Sequence, residues 1–416
     1  MANTVITPTH VLRKVGTRLT NSLRFVGAVS KDYNSEFKKG GAKVGTVVNA
    51  RLPQRYVVNK GAAFIPQATA NSIVPIEITD QANTGIEFDS FTMTLSVDDY
   101  EKRYIDPAGE ALANQVDFDG LDRSYKDVYW TVGTPAVVPG STGTLPQAAS
   151  NVYMDATTKL ANYGVMGKKT AMLSPAMHQY LVTAHMTLFA PAASVGKQYK
   201  TGQFSDEALG IQEWMMDQNV PTHTIGALGG TPTVTTAPTS GATTVVTQAW
   251  TSAIATRLKR GDVVQFALCN AVNPMNRQST GQLQDFVVTA DCDSDGAGAL
   301  TIPISPAIIT SGPNQTVDAA PLASAAVTIF SHASNHASKQ TKQGLVFTEE
   351  AFAMVTADLE KPMGVWASER ISNKAVGVAI RFVKDYNIMT DQSPARLDTI
   401  YGFKTVRPEM AVRICS

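Results

Sequence analysis

Apolar residues recur at three- and four-residue spacing near the start of the chain: Leu12, Val15, Leu19, Leu23 and Val26. This period predicts an amphipathic helix over 7–27. Thr7 supplies a cap, Pro8 suits the first helical position, and Arg13, Lys14, Arg18 and Arg24 decorate the other faces. From 40 to 97 the period changes to two. Val44, Val47 and Val48 follow Gly40–Gly41, Ile73–Ile78 is a second extended run, and Pro75 marks it as an edge strand. Ile86 and Phe88 alternate, then Phe91, Met93, Leu95 and Val97 alternate one step out of phase, which predicts a bulge near Ser90. A long hairpin with a loose tip between Asn59 and Asn71 accounts for this stretch.

A second helix is predicted over 106–132. Asp106 caps it, Pro107 opens it, and Ala108, Ala111, Leu112, Val116, Tyr125, Val128, Tyr129 and Val132 carry its apolar pattern up to Gly133. Such a helix is a rod of roughly 40 Å, with Gly120 as a candidate bend. After a linker from Thr134 to Pro146, helices are expected near Asn151–Tyr163, from Ser174-Pro175 onward and over Ser205–Gln218, with a strand at Thr170–Leu173.

Composition then shifts. Residues 226–343 hold only twelve charged side chains and are rich in Thr, Ala, Ser and Gly. Strand-like runs at Thr243–Thr247, Asp262–Leu268, Asp285–Thr289, Leu300–Ile304 and Ala326–Phe330 alternate with turn signals such as Arg260-Gly261-Asp262 and Asp295-Gly296. Regular short strands predict a small barrel or sandwich inserted into an α/β host that resumes at Gly344.

The 35 basic and 35 acidic residues cancel, but they are unevenly placed. Residues 1–60 carry eleven Lys/Arg against two acids, and 61–127 carry thirteen acids against four bases. Asymmetry of this kind marks an interaction surface, here a self-complementary one between copies, unless it is only a solvated face. Lys38, Lys39 and Lys43 on the basic side, and Glu77, Glu87 and Asp89 on the acidic side, are the candidate contacts, together with the four helix bases. Three cysteines, Cys269, Cys292 and Cys415, form no disulfide framework and suit a reducing compartment. No leader pattern and no long apolar run occur, so neither standard export nor a membrane span is expected.

Asp291-Cys-Asp-Ser-Asp-Gly296 matches half of a calcium loop, but its twelfth position is Ile302, so a tight turn is expected. His178 and His185, two helical turns apart, stand roughly 10 Å from each other and cannot share a zinc ion. His332 and His336 lie in a linker-like run. No nucleotide-binding, nucleophile-elbow or metalloprotease pattern occurs, which leaves catalysis without support. The basic first helix has few aromatics for a nucleic-acid reader. No catalytic residue, metal or cofactor is expected.

Leu345-Val-Phe-Thr-Glu-Glu-Ala-Phe-Ala-Met-Val355 resembles a segment of P22-type coat proteins of tailed phages, with Thr348 where that family has His. Arg381–Ile388, Arg396–Gly402 and Val406–Glu409 resemble the family's closing segment, and Asn219-Val-Pro221 its exit into an insertion. The resemblance implies an α+β, HK97-like capsid fold. It implies an N-terminal arm (1–39), an E-loop β-hairpin (40–97), a P-domain spine helix with the first part of an A-domain (98–225), an inserted β-barrel-like domain (226–343) and the remainder of the A- and P-domains (344–416). It further implies a major capsid protein, not an enzyme, that assembles with itself as hexamers and pentamers around double-stranded DNA. Scaffolding protein and a portal are the expected partners, with assembly in the host cytoplasm and residence in the virion. An encapsulin-like shell protein and a β-rich adhesion protein are the alternatives.

Overall fold

The computed structural model describes residues 23–33, 47–58, 60–62, 66–67, 72–89, 106–141, 147–185, 208–330, 336–373 and 377–416. The fold is mixed α+β and rich in strands. Two compact units divide the described residues. One takes its residues from Met1–Arg51, Ile73–Leu121 and Phe352–Val406; the other takes Leu52–Ser72, Asp122–Ala351 and Arg407–Ser416.

In the first unit a sheet forms from strands Phe352–Thr356, Gln392–Thr405, Val378–Lys384 and Ala367–Asn373, and strand Asp80–Asp89 pairs along Gln392–Tyr401. Val47–Arg51 and Ile73–Glu77 form a separate antiparallel pair, with Pro75 opposite Asn49. Proline is tolerated there because a two-stranded sheet has only edges. Helix α1 is short, Phe25–Ala28. Of the expected first helix, residues up to 22 lie outside the described residues, and Val29 after α1 is extended. The predicted bulge near Ser90 and the strand beyond it also lie outside them.

Helix α2 runs Asp106–Tyr125, about 30 Å at 1.5 Å per residue. It is shorter than expected. The N–H groups of Asp127 and Val128 bond the carbonyls of Ser124 and Tyr125, and Thr131–Gly133 is a strand parallel to Ala411–Cys415. Val128, Tyr129 and Trp130, which lead into the strand, and Val132 within it are all buried, so a run that continues a helical pattern instead enters a buried strand. In the first unit α2 buries Ala108, Leu112, Ala113, Val116 and Leu121. A Cβ on Gly120 would stand 2.8 Å from the Phe25 ring, which also packs 5.7 Å from Phe352 and 6.0 Å from Phe403. Gly120 therefore admits an aromatic ring against the helix.

In the second unit a mixed sheet runs in the order Thr131–Gly133, Ala411–Cys415, Gln340–Thr348, Lys169–Leu173, Glu213–Met216. Helices α3 (Gln147–Asn162) and α4 (Pro175–His185) cover it, with Tyr153, Ala156, Leu160, Met177 and Leu181 in the shared core. The helix expected over 205–218 is corrected. Residues 205–207 lie outside the described residues, Ala208 and Ile211 close a tight turn, and Glu213–Met216 pairs in parallel with Lys169–Leu173. Tertiary pairing overrides local helix propensity here.

All five strand-like runs between 226 and 343 are strands. Six strands line up as Val327–Ile329, Val263–Phe266, Phe286–Val288, Leu300–Ile308, Ala242–Trp250 and Gly230–Val234. A bridge from Thr233 to Ala326 joins the last strand back to the first and closes the path. Val245, Phe266, Phe286, Val288, Ile302 and Phe330 fill the interior. The strands leave the host after Thr222–Thr224 and return in Gln340–Thr348, which pair antiparallel with Thr224 opposite Gln340.

Candidate functional site

The polar groups buried deepest in the second unit meet where the closed strands rest on the host. Asp262 follows Gly261 (φ +98°) in a turn and is fully buried. Its carboxylate accepts the N–H groups of Gly226 (3.1 Å) and Lys259 (2.8 Å), and its Oδ1 lies 2.7 Å from His223 Nε2. A carboxylate only accepts, so His223 donates from Nε2, and the Tyr125 hydroxyl lies 3.2 Å from its Nδ1. Burial raises the Tyr125 phenol, which keeps it a donor.

Arg413, on the strand Ala411–Cys415, is completely buried; it donates to the Gly261 carbonyl at 2.8 Å and its guanidinium lies 5.9 Å from the Tyr125 ring centre. Burial lowers its pKa, while Cys415, Tyr125, Asp262 and Asp285 favour the cation. Asp285, also fully buried, accepts from Thr131 N at 3.1 Å, from Lys159 Nζ and from Gln265 Nε2. A cavity of about 340 Å³ opens beside Lys159, lined among others by Thr131, Asp155, Gln282 and Phe330. Asp262 and Asp285, both within 226–343, are thus each answered by a side chain from outside that stretch, His223 and Lys159. Buried pairs of this kind fix one arrangement, because any other leaves a charge without a partner. The network orients the strands that carry it.

In the first unit, a groove of about 570 Å³ crosses the open face of the sheet, lined by Asn83, Gly85, Glu87, Val365, Val383, Asp385, Pro394 and Arg396 among others. Gly85 leaves open space above it. Asp398, fully buried, receives Arg381 and Arg396 on this face.

The candidate contact residues are placed only in part. Arg24 is exposed, and its backbone N–H donates to Asp117 Oδ2 at 2.7 Å. Glu77 is exposed at the end of its strand, and Glu87 is exposed opposite Pro394 and lines the groove. Asp89 pairs with Gln392 through the ladder. Arg13, Lys14, Arg18, Lys38, Lys39 and Lys43 lie outside the described residues.

The half calcium loop is corrected from a tight turn: Cys292–Ser294 is a strand paired antiparallel with Ala255–Leu258, and the turn begins at Asp295. Asp295 Oδ1 accepts from Ala297 N and Ala299 N at 2.9 and 2.7 Å, Asp293 from the Thr256 hydroxyl, and Asp291 from Arg260 N. Ile302, at the twelfth position, is buried in a strand opposite Val245. His178 is buried in α4, and burial lowers its imidazole below the usual range. Among the described residues no group of three or more His, Cys, Asp or Glu side chains is placed to hold a metal, and no helix is long and apolar enough to cross a membrane.

The sequence marks Asp262 as a turn and strand-start residue and Asp285 as a strand start, and no signal in it marks His223, Lys159 or Arg413. The pairs Asp262–His223, Asp285–Lys159 and Arg413–Gly261 are 39, 126 and 152 residues apart along the chain, and no local spacing joins them.

No curated protein matches the chain. Among solved structures it is similar to one titled Mycobacterium phage Che8, at 13% identity over 93% of this chain and 88% of that one, with a TM-score of 0.47. It is also similar to a virus-like particle from Pyrococcus furiosus, at 8% identity over 98% and 100%, with a TM-score of 0.42. A quarter of the chain aligns with 97% of the CUS-3 coat protein I-domain, at 24% identity and a TM-score of 0.19. The family model described as P22 coat protein - gene protein 5 matches residues 76–414. On that match, which runs from the strand Ile73–Glu77 to the strand that carries Arg413, the chain belongs to the P22 coat protein family and is a major capsid protein that forms a bacteriophage shell.

Proposed function

We propose that many copies of this chain close into an icosahedral shell around double-stranded DNA, on an HK97-like architecture. In this reading 1–39 is an arm, 40–97 an E-loop hairpin and 98–225 the P-domain part with α2 as spine plus the start of the A-domain. Residues 226–343 are the inserted β domain, and 344–416 complete the A- and P-domains. The observation that carries the reading is the family match over residues 76–414, which includes both flanks of the insertion. Hexamers and pentamers form in the host cytoplasm with scaffolding protein and a portal, and DNA lies non-specifically against the inner face.

The physical logic supports it. A closed shell repeats a few contacts many times, so each contact can be weak while the subunit must be well defined. The buried junction of Asp262, His223, Asp285, Lys159 and Arg413 supplies that definition within the second unit. The segregated charge of residues 1–60 and 61–127 supplies complementary surface for like copies. Electron microscopy of the purified protein, with and without a co-expressed scaffolding protein, tests the reading. Hollow particles of uniform size are expected; filaments or soluble monomers under all conditions would overturn it.

A further inference from the structure

Arg413 is fully buried, and only part of its guanidinium is met inside the protein. Nη1 donates to the Gly261 carbonyl at 2.8 Å, whereas Nε and Nη2 have no acceptor among the described residues. These two nitrogens form the edge of the guanidinium fork that takes a bidentate partner. A buried cation with that edge bare is costlier than a neutral donor left unpaired. The nearby carboxylates do not fill it. Asp262 receives His223 at Oδ1 and the N–H groups of Gly226 and Lys259 at Oδ2. Asp285 receives Lys159 and Thr131 N at Oδ2 and Gln265 at Oδ1. Cys415, two residues on and on the same face, has its thiol 3.1 Å from the Thr131 hydroxyl and 3.4 Å from Gln343 Oε1. Tyr125 presents its ring, 5.9 Å from the guanidinium carbon, while its hydroxyl is 3.2 Å from His223.

What completes the edge therefore comes from outside the chain, and charge decides its kind. Lys159 and Arg413 bring two positive charges to the junction, and Asp262 and Asp285 bring two negative ones. An added anion would leave a buried negative charge without a partner, whereas a neutral acceptor adds none. Water is neutral and small, and polar groups left over in a folded interior are its usual partners. It also has somewhere to donate. An ionised carboxylate offers about four acceptor sites, and Asp262 and Asp285 each receive three donors. Two further buried atoms without a partner adjoin the same pairs: Trp130 Nε1, one residue before Thr131, and Gln284 Oε1, one residue before Asp285.

We propose that the Nε–Nη2 edge of Arg413 is a binding site for an ordered water molecule, built into the junction between the inserted strands and the host sheet, and that the site rejects anions. The water accepts from both nitrogens and donates to a lone pair that Asp262 or Asp285 retains. It thereby joins the host arginine to a carboxylate of the insertion that the side chain does not reach directly.

A crystal structure of the full chain that shows ordered solvent tests the site directly. A peak about 2.7–3.2 Å from both Nε and Nη2, unchanged when chloride is replaced by bromide, is expected. A peak that takes up bromide, seen by its anomalous scattering, overturns the neutral ligand. No peak, or direct donation from both nitrogens to atoms of the chain, overturns the site. In solution, urea midpoints of the unmodified protein should agree between sodium chloride and sodium gluconate at equal ionic strength; a rise specific to chloride counts against the proposal. Magnetic relaxation dispersion of oxygen-17 water counts long-lived internal molecules. Arg413→Met, which keeps most of the bulk and removes both donors, should lose at least one of them, and an unchanged count would contradict the assignment. Should that variant fail to fold, the solvent peak and the anion comparison decide on the unmodified protein alone.

Discussion

His223 Nε2 lies 2.7 Å from Asp262 Oδ1, with both side chains buried and the Tyr125 hydroxyl 3.2 Å from the other ring nitrogen. Breaking a buried pair by removing one partner costs about 3–5 kcal/mol. Asp262→Ala is therefore expected to lose stability of that order in urea unfolding. Tyr125→Phe, which leaves the ring in place, should cost only about 1 kcal/mol. Equal effects of the two would mean that the ring packing, and not the polar chain, holds the junction.

Asp117 caps α1 from a distance. Its carboxylate accepts the N–H groups of Arg24, Phe25 and Val26 at 2.7, 3.4 and 3.1 Å. Loss of a helix cap costs about 0.5–2 kcal/mol. Asp117→Ala should lower stability by about that amount and speed tryptic cleavage after the exposed Arg24. Unchanged cleavage would show that Phe25 packing alone retains the segment.

Two glycines of the first unit should respond in opposite ways. A Cβ on Gly402 would stand within 1.9 Å of the Glu77 carbonyl oxygen, whereas one on Gly85 meets nothing within 4 Å. Gly402→Ala forces backbone apart and is expected to cost about 3 kcal/mol, as overpacking does. Gly85→Ala restricts the unfolded chain and should be neutral or stabilising by up to about 1 kcal/mol. Thermal melts of the two variants check the contrast.

His178 sets a pH dependence. Burial lowers its pKa below the usual value, so the folded state favours the neutral ring. Between that lowered pKa and the unfolded value of about 6.5, the unfolded chain binds more protons. Its contribution is therefore fully present above about pH 6.5 and lost as the pH falls through the folded pKa. Urea midpoints measured from pH 7.5 down to 5 should fall, and His178→Gln should flatten that decline. A decline of equal slope in the variant would assign it to other groups.

The charge segregation predicts a salt effect on assembly. Screening shortens electrostatic reach from about 8 Å at physiological salt to about 3 Å at 1 M. Assembly followed by light scattering should slow at high salt. Reversing Lys38, Lys39 and Lys43 to Glu should impair it more than a triple reversal within 226–343. Adding Glu77→Lys, Glu87→Lys and Asp89→Lys to the same chain should partly restore shells. A salt-independent rate with no restoration would leave these residues as a solvated surface.

The free thiols make a simpler check on burial. Burial and nearby carboxylates push Cys269 up to about 12 and Cys292 up to about 11, and burial raises Cys415. Neutral, buried thiols are poor nucleophiles. All three should resist a maleimide at pH 7.5 in the folded subunit and react together on unfolding. Rapid reaction of any one in the folded protein would show that its cover opens.

Several strands and the turns between them are legible in the sequence alone, because two-residue alternation and Gly, Asp and Pro signals act over a few residues. Five strands between Ala242 and Ile329 were legible for that reason, whereas the short strands Ala255–Leu258, Asn270–Val272, Ser279–Leu283 and Cys292–Ser294 were not. So was α3, whose Tyr153, Ala156 and Leu160 repeat with the helical period. The buried residues after Tyr125 and the half-buried ones around Trp214 read as helix because a short apolar run looks alike in a helix or a strand. Only pairing with Ala411–Cys415 and with Lys169–Leu173 decided them. The tertiary structure alone brought Asp262 to His223, Asp285 to Lys159 and Arg413 to Gly261. A buried charge must find its partner in space, and that partner can stand anywhere along the chain. The exposure of Trp366 and Ile388 is decided in the same way, since an exposed and a buried isoleucine are the same letter until the sheet places them.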